Sequence, residues 1–172
     1  MAYKLGASIV INQIGNIPDS PDDPRYQNLT AVMADIGRFG AHVGAFLAAE
    51  TGTEEGEKLA KLLDGDEASY VAVALNPGKL VVNRFNVQDA IRALGTRIRT
   101  VIAVDGVVDL AAGRGITVPV GQGTADFPAI LAALEDFQYS GDLVVGDEIP
   151  SANSLSNAVA TVEYLREVSG LG

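Results

Sequence analysis

Several acidic side chains follow short apolar runs of the kind that form buried β-strands, and these side chains could do chemistry. Glu50 ends one such run before Thr51-Gly52, and Asp105 ends another. A carboxylate at a strand end can take up and return a proton. Each also has a structural interpretation: Glu50 as a solvent-facing acid at the start of a helix, and Asp105 as a residue that turns the loop. For Asp105 the turn is the favoured interpretation.

Other polar residues lie in glycine- and proline-rich loops. The segment Asn76-Pro77-Gly78-Lys79 could contact a hydroxyl group or a phosphate of a ligand through Asn76 and Lys79, and it is equally a good turn. Arg114 stands between two glycines and could hold an anion, although a solvated loop arginine is the favoured interpretation. Gly121-Gln122-Gly123 is no phosphate-loop signature, because no Lys-Ser/Thr pair follows it.

The amino-acid composition excludes some kinds of functional site. The chain has no cysteine, which excludes disulfides, thiolate metal sites and cysteine nucleophiles. Its one histidine, His42, is predicted to lie early in a strand, at the wrong end of that strand for catalysis.

Short apolar runs alternate with segments of helical periodicity, and these elements must position the polar residues. Strands are predicted over residues 7–11, 42–49, 70–75, 98–104 and 142–145. Helices are predicted around residues 29–40, 53–63, 87–94, 126–134 and 154–168. Apolar strands separated by helices favour an α/β fold with a parallel sheet covered by helices. We expect residues 1–172 to form a single domain.

Composition limits the partners. The formal net charge is −10 at pH 7. Such a surface repels phosphate backbones and anionic membranes, so we expect neither nucleic acid nor a membrane as a partner. The sequence lacks an apolar run long enough to span a bilayer and starts without the apolar stretch of a signal peptide. A cytoplasmic location is therefore the expectation.

A series of short segments resembles, in order and spacing, the motifs of one enzyme family. The segment around Leu75-Asn76-Pro77-Gly78-Lys79-Leu80 is similar to the family's Leu-Asp-Pro-Gly-His-Leu, and Gly121 to Phe127 is similar to its Gly-Glu-Gly-x-x-Asp-Phe. The further matching segments are Ala49-Glu50-Thr51-Gly52-Thr53, Leu94 to Ile98 with Val104-Asp105-Gly106, and Tyr139 to Val145. Together they resemble the C-terminal part of the xylose-isomerase-like sugar isomerases and epimerases.

This resemblance implies a fold and an activity. It implies a partial (β/α)8 TIM barrel of parallel βα repeats, comprising about strands 4 to 8. It also implies a divalent metal at the carboxyl ends of the strands and two glutamates that move protons beside a sugar carbonyl. Glu50 corresponds to a metal-binding glutamate with a catalytic role. The candidate substrate-binding residues are suggested by their own chemistry: Asn76 and Lys79 for a sugar hydroxyl or phosphate, Asp105 to orient a ligand and Arg114 to hold an anion.

The sequence departs from the family at most of the expected ligand positions. Asn76 replaces an aspartate, Ile102 falls where a histidine ligand is expected, and Gly146 falls at the last glutamate. Asp147 and Glu148 lie just beyond Gly146, and Glu148 is the better replacement because side chains alternate with a period of two. Only Glu50 survives in register, while Lys79 replaces the histidine of the Pro-Gly-His segment.

Three functional hypotheses follow. The favoured one is a non-catalytic or degenerate member of the family that binds a small sugar or polyol, or another chain, and for which no cofactor is expected. The alternative is a sugar or sugar-phosphate isomerase or epimerase that uses Mn, Mg, Co or Zn with Glu50 and Glu148. The third is a five-stranded, doubly wound, flavodoxin-like binding domain, which strand order would distinguish.

Length leads to a prediction about assembly. A (β/α)8 barrel typically takes about 250 residues, and this chain has 172. Five parallel strands cannot close an eight-stranded barrel, so two strand edges and an apolar inner face would be exposed. Val10, Phe46, Val73 and Val101 are the residues predicted to line that face. We therefore expect a homodimer.

Overall fold

A computed structural model of the chain describes residues 6–65, 70–109, 114–146 and 152–169. Within these ranges one sheet has five strands, and a separate antiparallel hairpin has two. The sheet strands are β1 (Ile9–Asn12), β2 (Phe46–Glu50), β3 (Val71–Leu75), β4 (Ile98–Ala103) and β7 (Asp142–Val145). The hairpin strands are β5 (Asp105–Asp109) and β6 (Arg114–Val118).

Strand order identifies the architecture. The five sheet strands are all parallel and lie side by side in chain order, β1-β2-β3-β4-β7. A flavodoxin-like sheet would instead place its first strand between the second and the third, so the doubly wound alternative is wrong. The sheet curls into a half-barrel, which confirms the prediction of a partial (β/α)8 barrel.

Within the described ranges five of the six α-helices were predicted, whereas the short helix after Asn76, in a segment interpreted as a turn, was not. Four helix starts are capped by side chains. The helices are α1 (Pro24–Val43), α2 (Gly56–Leu62), α3 (Pro77–Val82), α4 (Val87–Leu94), α5 (Phe127–Glu135) and α6 (Ser154–Val168). The capping side chains, each accepting a first-turn N–H, are those of Asp23, Asn76, Asn86 and Asp126. Proline follows directly after two of these caps, Asp23 and Asn76, and suits the first helical position.

The end of α1 lies later than predicted. Gly40 remains helical and packs closely, since a Cβ there would lie 2.6 Å from the carbonyl oxygen of Ala45. Gly44 ends the helix with φ +69°, a left-handed conformation that favours glycine. His42 therefore lies in the last turn of α1, and its predicted place within a strand is wrong.

The two faces of the sheet bury different side chains. Val73 and Val101 pack in the main core together with helix residues such as Ile91 and Leu134. Their predicted place on the inner face of the barrel is wrong, because the two-residue period puts the alanines of β3 on that face instead.

Alanine side chains are buried on the inner face of the sheet. Ala48, Ala72 and Ala74 are buried there, with Ile9, Phe46 and Ile102 packed against them. Phe46 is thus correctly predicted as an inner-face residue, whereas Val10 pairs with Leu47 and is largely exposed. At the amino ends of the strands, Phe46 stacks on Tyr70 with ring centroids 4.1 Å apart.

The hairpin β5–β6 was not predicted. It packs on α3 through glycines: a Cβ on Gly78 would lie 2.6 Å from Asp105 O, and one on Gly115 would lie 2.6 Å from Val82 Cα. The β-branched pairs Val107-Val108 and Ile116-Thr117 are the signal that could have revealed it. No helix within the described ranges is long and apolar enough to cross a membrane.

Candidate functional site

Glu50 is the last residue of β2 and stands at the carboxyl end of the sheet. It pairs with Ala74 of β3 and alternates with the buried Ala48, which places it on the inner face of the half-barrel. Its side chain is only 10% exposed. The carboxyl ends of barrel strands are where (β/α)8 enzymes build their sites, so Glu50 has the position expected of a functional residue.

Two nitrogen donors meet at one oxygen of Glu50. The amide Nδ2 of Asn76 and the ammonium Nζ of Lys79 each donate a hydrogen bond to Glu50 Oε1 at 2.8 Å. Asn76 directly follows β3, and Lys79 lies in the first turn of α3. We call these three residues the Glu50 cluster. The structure thus brings together three residues that sequence reasoning had singled out in two separate segments.

Asn76 is oriented by bonds at both ends of its amide. Its Oδ1 caps α3 by accepting from the backbone N–H of Lys79 at 2.9 Å, and this leaves Nδ2 to face Glu50. Its own backbone N–H donates to Thr51 Oγ1 at 2.9 Å. Because the side chain is fully buried, rotation of the amide would leave polar atoms unpaired at a cost of about 1–3 kcal/mol.

Gly52 allows α3 to approach the end of β2. Its φ is +125°, and a Cβ at this position would lie 2.3 Å from Lys79 Cβ. Asn83, at the other end of α3, donates from Nδ2 to the carbonyl oxygen of Gly52 at 2.8 Å. The loop after β2 therefore contacts both the first turn and the end of α3. These contacts keep Lys79 beside Glu50.

The charges of the Glu50 cluster offset each other in a partly buried setting. The Lys79 side chain is 22% exposed, so the ion pair is neither fully solvated nor fully removed from water. Within the described residues, no group of three or more His, Cys, Asp or Glu side chains is placed to share a metal ion. The cluster combines one carboxylate acceptor with ammonium and amide donors, a set suited to hydrogen bonding with hydroxyl groups.

Asp105 is fully buried, and its carboxylate is surrounded by backbone N–H groups. Oδ1 accepts from Gly106 at 2.7 Å and from Ala125 at 2.9 Å. Oδ2 accepts from Gly121 at 3.2 Å and from Gly123 at 2.9 Å. These four bonds give Asp105 a structural role in ordering the loop before α5, and its contact with a substrate stays a prediction.

Three other residues singled out from the sequence lie wholly or partly outside the described ranges. The backbone of Arg114 begins β6, but its side chain lies outside the description, as do Asp147 and Glu148 entirely. Ile102 packs against the alanines of the inner face. Substrate-binding and catalytic roles for Arg114 and Glu148 stay predictions.

Glu54 is an acid whose environment the sequence did not reveal. Its Oε2 accepts from the hydroxyl of Thr53, while its Oε1 is buried without a hydrogen-bond partner. Burial raises the pKa of this carboxyl, and the Thr53 hydrogen bond and the charge of Lys58 only partly oppose the rise. The expectation of a helix start at Thr53 is wrong by a few residues, since α2 begins at Gly56 and Glu54 lies in the preceding loop.

Solved structures with the same fold are barrel proteins. A xylose isomerase domain protein from Planctomyces limnophilus is 23% identical with a TM-score of 0.83, over 98% of this chain and 62% of that chain. A D-tagatose 3-epimerase-like protein is 18% identical with a TM-score of 0.76, over 99% of this chain and 65% of that one. No family model and no curated protein matches the sequence.

A third similar structure was solved with a metal. It is a xylose isomerase-like TIM barrel protein from Mycobacterium smegmatis in complex with magnesium, 17% identical with a TM-score of 0.67, over 97% of this chain and 62% of that chain. These TM-scores establish the fold: the chain has the fold of part of a xylose isomerase-like TIM barrel. It spans about 62 to 65% of the length of these proteins.

Proposed function

We propose that this chain is a non-catalytic relative of the sugar isomerases and epimerases and that it binds a small sugar or polyol at the Glu50 cluster. The observation that carries the proposal is the 2.8 Å ion pair between Lys79 Nζ and Glu50 Oε1. A protein cation stands beside the carboxylate that, by resemblance, would bind a divalent metal.

The donors around Glu50 do not suit a divalent cation. Such an ion needs several oxygen or nitrogen lone pairs directed at one point. Here Asn76 directs an NH2 group, and Lys79 an ammonium group, at the carboxylate oxygen that would be the ligand. A second cation beside Lys79 would also be repelled, so a metal would have to displace the ammonium group before it could bind.

The arrangement of the cluster supports the correspondence with the enzyme family. Glu50 and Asn76 come from different motifs of the resemblance, and they meet at the carboxyl end of adjacent strands. The similar proteins are described as an isomerase domain, an epimerase-like protein and a magnesium complex. Those activities concern whole proteins that are longer than this chain.

Polyol binding follows from the chemistry of the cluster. A hydroxyl group both donates and accepts a hydrogen bond, and the cluster offers a carboxylate beside an ammonium group at the rim of an apolar inner face. Adjacent hydroxyls of a sugar can bond to each in turn. Binding of this kind does not require the proton transfers of isomerisation, for which no metal would polarise the carbonyl.

Isothermal titration calorimetry tests the proposal directly. We expect xylitol or D-xylose to bind and Glu50→Gln to abolish the binding, while the exposed Glu55→Gln leaves it unchanged. We expect Mn, Mg, Co and Zn ions to bind no more tightly than millimolar and sugar isomerisation to be undetectable. A micromolar metal affinity that Glu50→Gln weakens, with sugar turnover that it abolishes, would instead establish the metal-dependent enzyme.

A further inference from the structure

The two ends of the open sheet share a property that its middle lacks. Among the described residues, the large apolar side chains that are exposed lie, with the exception of Ile116, on β1, α1, β7 and α6. They are Val10 and Ile11 on β1, Val32 and Phe39 on α1, Val144 on β7, and Leu155 and Val159 on α6. None lies on β2, β3, β4 or the helices α2 to α5.

These four elements form the two ends of the half-barrel. In the described part of the chain, β1 pairs only with β2, and β7 only with β4, so both are edge strands. Helix α1 follows β1 in the chain, and α6 follows β7. Parallel sheets are normally covered on both faces, and every residue of the central β3 is buried. The exposed apolar surface is therefore confined to the two ends.

The exposed residues of each end helix share one side of that helix. Val32 and Phe39 are seven residues apart, and Leu155 and Val159 are four apart, spacings that place side chains on the same face. Phe39 is 67% exposed and Leu155 is 79% exposed. A groove of about 530 Å³ runs along α6 and is lined by Leu155 and Val159. Such stripes are typical of helix faces that pack against another helix.

The number of strands in the sheet determines how many further strands fit between its two edges. A closed barrel of this class has eight strands, and this sheet has five. The chain overlays the Planctomyces limnophilus protein with a TM-score of 0.83 and covers 62% of it, which is about the five-eighths share of a complete barrel. Closing an eight-stranded barrel around this sheet would therefore take three more strands. A second copy would bring five, which is too many for the space.

We propose that the gap between β1 and β7 is an interface for a polypeptide of three parallel βα units. Its outer strands pair with the free edges of β1 and β7, and its helices cover the apolar stripes of α1 and α6. Strand pairing satisfies the unpaired N–H and C=O groups of both edges, and the helices bury Phe39 and Leu155. The inference rests on the two sheet ends and does not depend on the function proposed for the Glu50 cluster.

The first test adds such a polypeptide to the full chain. The probe is the segment of the Planctomyces limnophilus protein that has no counterpart here, prepared separately, with complex formation followed by light scattering and amide hydrogen exchange. We expect a 1:1 complex with slowed exchange at Ile9–Asn12 and Asp142–Val145. Leu155→Glu should weaken it at least tenfold, since a buried unpaired charge costs more than about 1.4 kcal/mol. Ile116→Glu, at an exposed apolar residue away from both ends, should not.

A fusion keeps the test decisive if the separate segment binds weakly. The same segment is joined ahead of residue 1, and the control fusion carries a Gly/Ser linker of equal length. We expect the segment, and not the linker, to slow edge-strand exchange at least tenfold. Unchanged exchange in both fusions would overturn the proposal. The proposal would also be overturned if, in the chain alone, the amides of the edge strands exchanged as slowly as those of Val71–Leu75. A homodimer that prevents the segment from binding would overturn it as well.

Discussion

The backbone N–H of Gly123 lies 2.9 Å from Asp105 Oδ2, and a Cβ on Gly123 would lie 2.2 Å from Asp105 Oδ1. The loop before α5 therefore wraps around the carboxylate in a way that only glycine permits. This contact links the end of β4, the hairpin and the start of α5, and so fixes the region of the barrel that follows the Glu50 cluster.

Replacing Asp105 should destabilise the protein. In Asp105→Asn the amide nitrogen cannot accept hydrogen bonds, so two of the four backbone N–H donors lose their acceptor. We expect the free energy of unfolding, measured in urea, to fall by about 2–4 kcal/mol. Asp64→Asn, at an exposed acid, serves as the control. Equal unfolding free energies for the two variants would contradict the structural role of Asp105.

The ion pair of the Glu50 cluster should contribute to stability by an intermediate amount. Lys79→Gln leaves the Glu50 carboxylate largely buried without its cationic partner. Exposed pairs contribute about 0–1 kcal/mol, and breaking a buried pair costs about 3–5 kcal/mol. We expect a loss of about 1–3 kcal/mol in urea unfolding, against a negligible change for Lys61→Gln on the exposed side of α2. A loss no larger than that of the control would show that the pair contributes nothing.

A double substitution should create affinity for a divalent metal. Asn76→Asp with Lys79→Gln replaces an amide by a carboxylate and an ammonium group by a neutral amide, so the site gains a carboxylate beside Glu50 and loses a competing positive charge. More carboxylates in a site raise its cation affinity. We expect calorimetry with Mn²⁺ to show binding at least about tenfold tighter than in Lys79→Gln alone. Adding Glu50→Gln should remove the gain, and its persistence would place the new site elsewhere.

Glu54 should make stability depend on pH. Burial raises the pKa of this carboxyl above the ordinary value of 4.5, so the folded protein binds the proton more tightly than the unfolded chain does. Its contribution is fully present below pH 4.5 and is lost as the pH rises through the raised pKa of the folded state. Wild type should therefore lose stability relative to Glu54→Gln between pH 4.5 and neutrality.

Urea unfolding at several pH values, with Glu55→Gln as the control at a neighbouring exposed acid, measures this dependence. The difference between wild type and Glu54→Gln should change with pH by more than the difference between wild type and Glu55→Gln. A flat difference for Glu54 would mean that solvent reaches its carboxyl in the folded protein.

Local patterns predicted the elements whose boundaries depend on caps and periodicity. The strand Asp142–Val145 and the helix Ser154–Val168 have the predicted bounds, and α5, capped by Asp126, lies where a helix around residues 126–134 was predicted. Long-range contacts explain the failures. Nothing local distinguishes Glu54, a buried acid, from the exposed Glu55, and the inward direction of Ala74 rather than Val73 is decided by register with β2.

The candidate site likewise combines residues that the sequence singled out with contacts that it could not predict. The resemblance singled out Glu50, Asn76 and Lys79, but an ion pair between residues 29 apart depends on how α3 packs on β2. Asp105 was interpreted as a turn residue from its neighbour Gly106, although two of the glycines that bind its carboxylate lie 16 and 18 residues away. Spacing along the chain carries no information about such contacts until the strand order is known.

In the absence of a partner for the sheet ends, we expect the chain to form a homodimer. The apolar stripes of α1 and α6 favour association, since burial contributes about 25 cal/mol per Å². The net charge of −10 opposes it, but salt screens that repulsion beyond about 8–10 Å. Light scattering at micromolar concentration and 150 mM salt should give twice the 17.9 kDa of one chain. The dimer should weaken at low salt, because the repulsion between the acidic chains then reaches further.

Substitutions at the sheet ends identify the surface that associates. Phe39→Glu and Leu155→Glu place a charge on the stripes of α1 and α6 and should shift the protein toward monomer. Ile116→Glu also replaces an exposed apolar residue, but this residue lies on the hairpin. The substitution should therefore leave the mass unchanged. A monodisperse monomer for wild type at micromolar concentration would contradict the prediction, because exposed apolar stripes of this extent would then have no tendency to pair.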